Sequence, residues 1–213
     1  GGPVPDYVHF HKIRFQMIFC KAGWTRLVYE DQGDEFILEA GDCVLQPPEI
    51  RHRVLEASAG LEVIEIGCPA VHETFADQAM ELPTGRDLPG RDFGGQRFVR
   101  HIAKDARWSK WSTLKGEGFD SRDLGIDDAT DGLAGVRVVR ATGAARTDIA
   151  AHSGEFFFLF VLKGALDLES ATLGNHRLNE GDCCVLPSGA QFALRAQAGA
   201  EFLEVALPAD LPH

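Results

Sequence analysis

The chain repeats itself once, and that repeat limits its architecture more than any other feature. Residues 38–47 read LEAGDCVLQP and residues 178–187 read LNEGDCCVLP. Upstream, FQMIFCKAG (15–23) answers to FFLFVLKGA (157–165), with Gly23 falling on Gly164. Downstream, LEVIEIGCPA (61–70) answers to EFLEVALPA (201–209). The offset drifts from 141 to 139 residues through two single-residue gaps in turns. A period this long exceeds any solenoid unit and indicates a duplicated domain. The 213 residues are therefore read as two domains of about 100 residues each rather than one large one.

Each copy carries the pattern of β-structure. Apolar, β-branched and aromatic runs such as QMIFC, RLVYE, EFILEA and EVIEI alternate with Gly, Pro and Asp turns. The second copy shows the same in VRVVRA, FFFLFVL and FLEVAL. Gly41-Asp42 and Gly181-Asp182 are turn formers that admit positive φ before a strand. The expected class is all-β, as a sandwich or a closed barrel such as the jelly roll. Between the copies, VHETFADQAMEL (71–82) is predicted to form a short helix and RFVRHIAK (97–104) a strand. Trp108 and Trp111 are expected to pack against a barrel.

Charge and composition exclude several partners. A net charge of −11 argues against nucleic acid, which demands a basic face. No apolar run approaches the ~20 residues needed to cross a bilayer. No charged-then-apolar leader opens the chain, and the five cysteines are odd in number with no framework spacing. A cytoplasmic protein with reduced thiols is expected. Cys43 and Cys183 hold matching places and are read as small buried fillers. The Asp120, Asp123, Asp127, Asp128 and Asp131 cluster lacks calcium-loop spacing and is read as a solvated loop.

The chemistry lies in the first copy. His9 and His11 share one face of a strand, ~6–7 Å apart at ~3.3 Å per residue, so both can reach one ion. Gln16 follows His11 after four residues, and Gly23 after six more. Gly41 is followed by five residues and Pro47, and His52 lies five beyond that proline. This run resembles the two signature motifs of the cupin superfamily, G-x5-H-x-H-x3-4-E-x6-G and G-x5-P-x-G-x2-H-x3-N. His9, His11, Gly23, Gly41, Pro47 and His52 match in type and spacing. Gln16 replaces the family's glutamate, Glu49 its motif glycine and Glu56 its final asparagine.

The resemblance implies two tandem jelly-roll (cupin) β-barrels with a short mixed linker. Residues 1–75 would be the metal-binding barrel, 76–118 the linker, and 119–213 a barrel with a degenerate site. The chain opens on Gly1-Gly2-Pro3 with eight residues before His9, so the first barrel is expected either to lack its first strands or to have their place filled by the linker strand. The implied cofactor is one divalent transition ion (Fe, Ni, Mn, Cu, Zn or Co) on His9, His11 and His52, with Gln16 an optional fourth ligand. Metal binding is expected to weaken as pH falls through about 6.5, where free imidazole protonates. By register the second copy offers Ala150, His152, Phe157 and Phe192 at these places, which is no metal site.

Three-histidine cupin centres imply dioxygenase chemistry on a small enolizable or phenolic substrate. Alternatives on the same residues are a non-redox lyase or isomerase, with Glu65 as a tentative base, and a metal-dependent binding module. Arg14, Gln46, Arg51, Arg53 and Glu65 could contact an anionic substrate. Phe15, Ile18, Val44 and Val54 are read as apolar pocket walls. His72, His101, His176 and His213 sit apart from any sequence partner and are assigned no role. Exposed strand edges and the resemblance together imply a homodimer.

Overall fold

The structure, a computed structural model, describes residues 1–212 and is almost wholly β. It divides into two compact units, residues 1–105 with 129–131, and residues 106–128 with 132–213. The segment read as a linker is thus divided near residue 105.

The first unit contains β1 (Gly2–Pro3), β2 (His9–Lys12), β3 (Phe15–Ala22), β4 (Trp24–Tyr29), β5 (Phe36–Glu39), β6 (Cys43–Leu45), β7 (His52–Ala57), β8 (Glu62–Cys68), β9 (Glu73–Ala76) and β10 (Val99–His101). One sheet runs β5-β4-β7-β2-β9 with β1 also on β7, and the other runs β10-β6-β3-β8. Strand β3 shows why the run FQMIFCKA lacks polar alternation. Phe15, Met17 and Phe19 fill one face, while Gln16 and Cys20 are buried on the other, so both faces are covered. The core of this unit gathers Cys20, Leu27, Tyr29, Leu38, Val44 and Ile50, with Ile18 and Val54 against it. Phe15 lies three residues from Ile18 and so takes the opposite face of β3. It is a core residue and not a pocket wall with Ile18, Val44 and Val54.

The second unit contains β11 (Ser109–Lys110), β12 (Gly116–Asp123), α1 (Ile126–Ala129), β13 (Gly135–Thr147), β14 (Phe156–Lys163), β15 (Ala165–Glu169), β16 (His176–Asn179), β17 (Cys183–Val185), β18 (Ala193–Ala196) and β19 (Glu201–Leu207), of which Ala129 belongs to the first unit. Its sheet runs β16-β15-β18-β13-β19-β14-β17, extended from β13 through β12 to β11. The long strand β13 pairs with β19 through its first half and with β18 near its end. Trp111 is buried in this core, and Trp108 lies under the Arg140 guanidinium at 4.0 Å.

Two pairings recur between the units. Ile18 opposes Glu65 on β3 and β8, and Leu159 opposes Glu204 on β14 and β19. His9 opposes His52, and Ala150 bridges Phe192. The environments differ. Strand β19 is held on both sides, by β13 and β14, and Glu204 is fully buried. Strand β8 ends its sheet with β3 alone beside it, so Val63 and Glu65 are exposed.

Four sequence expectations are corrected. Residues 73–76 form β9 and not a helix, pairing with β2 from His9↔Ala76 to Lys12↔Glu73. Phe75 stacks on Phe10 with centroids 5.3 Å apart, and Lys12 lies over its ring, contacts that outweigh a helical spacing of apolar residues. The predicted strand at 97–104 shortens to β10, which pairs with β6 and gives way to a 3-10 turn at Ala103–Asp105. Cys43 is buried because β3 and β10 flank β6, whereas Cys183 is exposed because β17 has β14 alone beside it. The aspartate cluster is a loop at Asp131 alone, an exposed turn: Asp120 and Asp123 lie on β12, paired with Arg140 and Arg137, and Asp127 and Asp128 lie on α1. No helix among the described residues is long and apolar enough to cross a membrane. His213 lies outside the described residues.

Candidate metal centre

Strand β2 presents His9 and His11 on one face, and β7 begins with His52 directly opposite His9. Ring centroids lie 4.3 Å apart for His9 and His52, 5.1 Å for His9 and His11, and 5.2 Å for His11 and His52. One nitrogen from each ring falls within 4.8 Å of the other two, and no other such group occurs among the described residues.

Hydrogen bonds fix two of the three tautomers. His9 Nδ1 lies 2.8 Å from the Tyr7 carbonyl, and His52 Nδ1 lies 3.0 Å from the Ile50 carbonyl. A carbonyl only accepts, so each Nδ1 carries the proton and each Nε2 keeps its lone pair. His11 Nδ1 lies 2.9 Å from Thr74 Oγ1, a hydroxyl that serves either ring tautomer. Three imidazoles, each anchored at Nδ1, are the donor set a transition ion takes. His152 uses the other nitrogen: its Nε2 bonds the Leu186 carbonyl at 2.9 Å, in a 2% exposed position against Phe157.

Backbone geometry locks the third histidine beside the first two. Glu49 adopts φ 61°, the conformation Gly189 adopts at φ 80° in the second unit. Holding a non-glycine residue there costs roughly 1–3 kcal/mol. Its N–H bonds the His11 carbonyl at 3.0 Å, tying the turn before His52 to the strand carrying His9 and His11. The motif glycine's substitution therefore keeps the turn at an energetic cost.

Four polar residues surround the imidazoles. Gln16, 2% exposed, donates from Nε2 to Glu65 Oε1 at 2.6 Å. Gln46 accepts from the Tyr29 hydroxyl at 2.5 Å, and its Nε2 lies 3.5 Å from His52 Nε2. Burial above all, with the Glu65 charge behind it, pushes the Tyr29 phenol well above its usual range. The arginines proposed for an anion do not converge here. Arg51 bonds Asp77 at 3.1 Å and covers the Phe10 ring. Arg53 follows His52 and so takes the other face of β7. Arg14 sits in the exposed turn between β2 and β3.

Two site neighbours went unread in the sequence. Thr74 anchors His11, and the His72 ring lies 5.1 Å from the His11 ring, against the expectation that His72 stands apart. Both belong to the segment predicted as helix. Recognising ETFA as a strand beside His-x-His was the one signal available.

Burial pushes His52 down to about 3, with His9 adding to the effect. His11 is lowered too, by burial and then by His9 and His72. Both rings are ready to ligate at neutral pH, and loss of metal is moved below the pH of about 6.5 expected of free imidazole. A folded-state value below the unfolded one makes a stabilising contribution above pH ~6.5 that is lost as pH falls toward the folded value. The metal-free protein should therefore lose stability below pH ~6.5, by up to ~1.4 kcal/mol per pH unit through His52. Thermal melts between pH 7 and 4 check this; a flat melting temperature across that range contradicts it.

No protein-family model and no curated protein matches the chain. Solved structures do. Salicylate 1,2-dioxygenase from Pseudaminobacter salicylatoxidans matches at TM-score 0.67 and 16% identity, covering 96% of this chain and 68% of that one. The same enzyme as an adduct with gentisate matches at 0.65 and 16%, covering 97% and 66%. Oxalate decarboxylase from Lactobacillus farciminis, as a formate complex, matches at 0.65 and 18%, covering 97% and 74%. The chain spans about two thirds of the length of the dioxygenase structures. These likenesses establish a cupin fold.

Proposed function

We propose that this chain of cupin fold is a duplicated cupin and a metal-dependent dioxygenase acting on a small phenolic or enolizable substrate. One observation carries the reading: three imidazoles offer nitrogens that lie within 4.8 Å of one another, and each ring is anchored through Nδ1. Duplication is supported by the recurring pairs Ile18↔Glu65 with Leu159↔Glu204, and His9↔His52 with Ala150↔Phe192.

His9, His11 and His52 would hold the ion, with Gln16 an optional fourth ligand through Oε1. The ion is one of Fe, Ni, Mn, Cu, Zn or Co, and three protein ligands leave positions open to substrate. When bound, such an ion supplies Lewis acidity and, if redox-active, an electron path between substrate and dioxygen. The chain's own residues do the rest. Glu65 is exposed at the edge strand, and its carboxylate accepts the proton of a substrate hydroxyl. Gln16 holds that carboxylate through its amide N–H. Ile18, Val44 and Val54 form the apolar side of the site and limit water. The neighbours named salicylate 1,2-dioxygenase support this reading.

The oxalate decarboxylase neighbour supports a second reading on the same residues, a non-redox lyase or isomerase with Glu65 as base. Oxygen uptake separates the two. Protein loaded in turn with Fe(II), Mn(II), Ni(II) and Zn(II) would be given catechol, gentisate and a β-diketone in an oxygen electrode. Oxygen consumption with a redox-active metal and none with zinc is expected. Turnover with zinc and without oxygen would establish the second reading instead. Metal-dependent protection against heat without turnover would leave a binding module.

A further inference from the structure

The Ile50 carbonyl sets more than the tautomer of His52. Since His52 Nδ1 carries the proton, its Nε2 is a bare lone pair that faces a donor or an ion. In the structure the group beside it is the Gln46 amide, with Nε2 at 3.5 Å. The amide is held in that sense from the far end, because the Tyr29 hydroxyl donates to Gln46 Oε1. Tyr29 and Gln46 are 1% and 2% exposed, so neither has water to turn to. The Tyr29 ring also stacks beside His52, with centroids 5.5 Å apart, which fixes the hydroxyl. Tyr29–Gln46–His52 is thus a buried relay whose inner end is an N–H aimed at the ligand cluster.

An ion on His52 Nε2 takes away the lone pair beside the Gln46 N–H. A buried donor left without an acceptor costs free energy, so the loaded protein gains by placing an acceptor there. Resting on the metal-centre reading above, we propose that Gln46 is a substrate-binding residue whose fixed N–H selects an ionised hydroxyl oxygen (a phenolate or enolate) beside His52, with Tyr29 as its positioning residue. A neutral donor in this place suits a monoanionic oxygen. The full charges nearest in sequence are turned elsewhere, Arg51 to Asp77 and Arg53 to the other face of β7. An amine would present a donor to a donor and is disfavoured. Glu65, held in place by the Gln16 amide, then receives the hydroxyl proton that binding releases.

The test uses cobalt-loaded full-length protein and 4-nitrocatechol, whose absorbance reports both binding and its ionisation. Wild type is compared with Gln46→Leu, Gln46→Met and Tyr29→Phe, the last keeping the buried ring. Cobalt content per chain and the circular-dichroism melt are measured for each. The expected result is unchanged cobalt content, with 4-nitrocatechol bound about 10-fold more weakly by Gln46→Leu and Gln46→Met. Tyr29→Phe should weaken it by about 3-fold. In all three the bound probe should ionise at a higher pH, which a loss of packing alone does not produce. Variants that hold cobalt but bind and ionise the probe as wild type does would overturn the Gln46 assignment and leave the metal centre standing. Wild type that takes up no cobalt would overturn both.

Discussion

Replacing His52 with alanine should lower bound transition metal from about one ion per chain to below about a tenth, while His152→Ala leaves it unchanged. In the proposed centre His52 is the ligand from a second strand, 5% exposed and opposite His9, and without it β2 alone supplies two nitrogens. A two-imidazole site has neither the donor number nor the enclosure to keep an ion through purification. His152 holds the matching place to His11, yet its companions are Ala150 and Phe192, bridged to each other. Its Nε2 is committed to the Leu186 carbonyl, so its removal should cost about 0.5–1.5 kcal/mol in stability and nothing in metal. Elemental analysis of natively purified protein reads the difference. Equal loss from both substitutions would show that the second unit contributes a ligand and that the correspondence between the copies is misdrawn.

A second large effect is expected in the other unit. Glu204 is fully buried, and Trp111 Nε1, Thr113 Oγ1 and Arg137 Nη1 donate to it at 2.8, 2.7 and 3.2 Å. Burial pushes its carboxyl up, and Arg137 first, then the two neutral donors, pull it back. Arg137→Met removes the one cation in this set and leaves a carboxylate stranded in an apolar core. That loss should destabilise the fold by about 3–5 kcal/mol. Adding Glu204→Gln to the same chain should restore most of it, because the stranded charge is gone. Urea unfolding of the wild type and of the single and double variants measures both steps. An Arg137→Met protein as stable as wild type would contradict the view that this ion pair neutralises a buried charge.

What could be read from the sequence was whatever depends on spacing along the chain. Period two on a strand put His9 and His11 on one face, and the repeat placed Ala150 and Phe192 where His9 and His52 stand. The all-β class followed from short apolar runs cut by turns. What could not be read depends on which strands become neighbours. Thr74 touches His11 across 63 residues, and Tyr29 meets Gln46 across 17, contacts no local pattern encodes. The segment from Val71 to Leu82 carries apolar residues at near-helical spacing, and only the free edge of β2 makes a strand of it. Phe15 was misassigned for a simpler reason: residues three apart on a strand cannot share a face. Cys183 follows the same logic as Thr74, since its exposure depends on β17 having no second neighbour among the described residues.

The substitution of Gln16 for the motif glutamate also takes on sense in three dimensions. A carboxylate at that place would lie against Glu65, whereas the amide donates to it at 2.6 Å. The acidic group stands on β8, one strand away.

X-ray absorption at the edge of the metal carried by natively purified protein tests the centre most directly. Fine structure showing three imidazole rings at about 2.0–2.1 Å, falling to two or to none in His52→Ala, is the expected result. Sulfur neighbours at about 2.3 Å in place of imidazoles would mean the ion sits on cysteine and that the His9, His11 and His52 cluster is not the metal site.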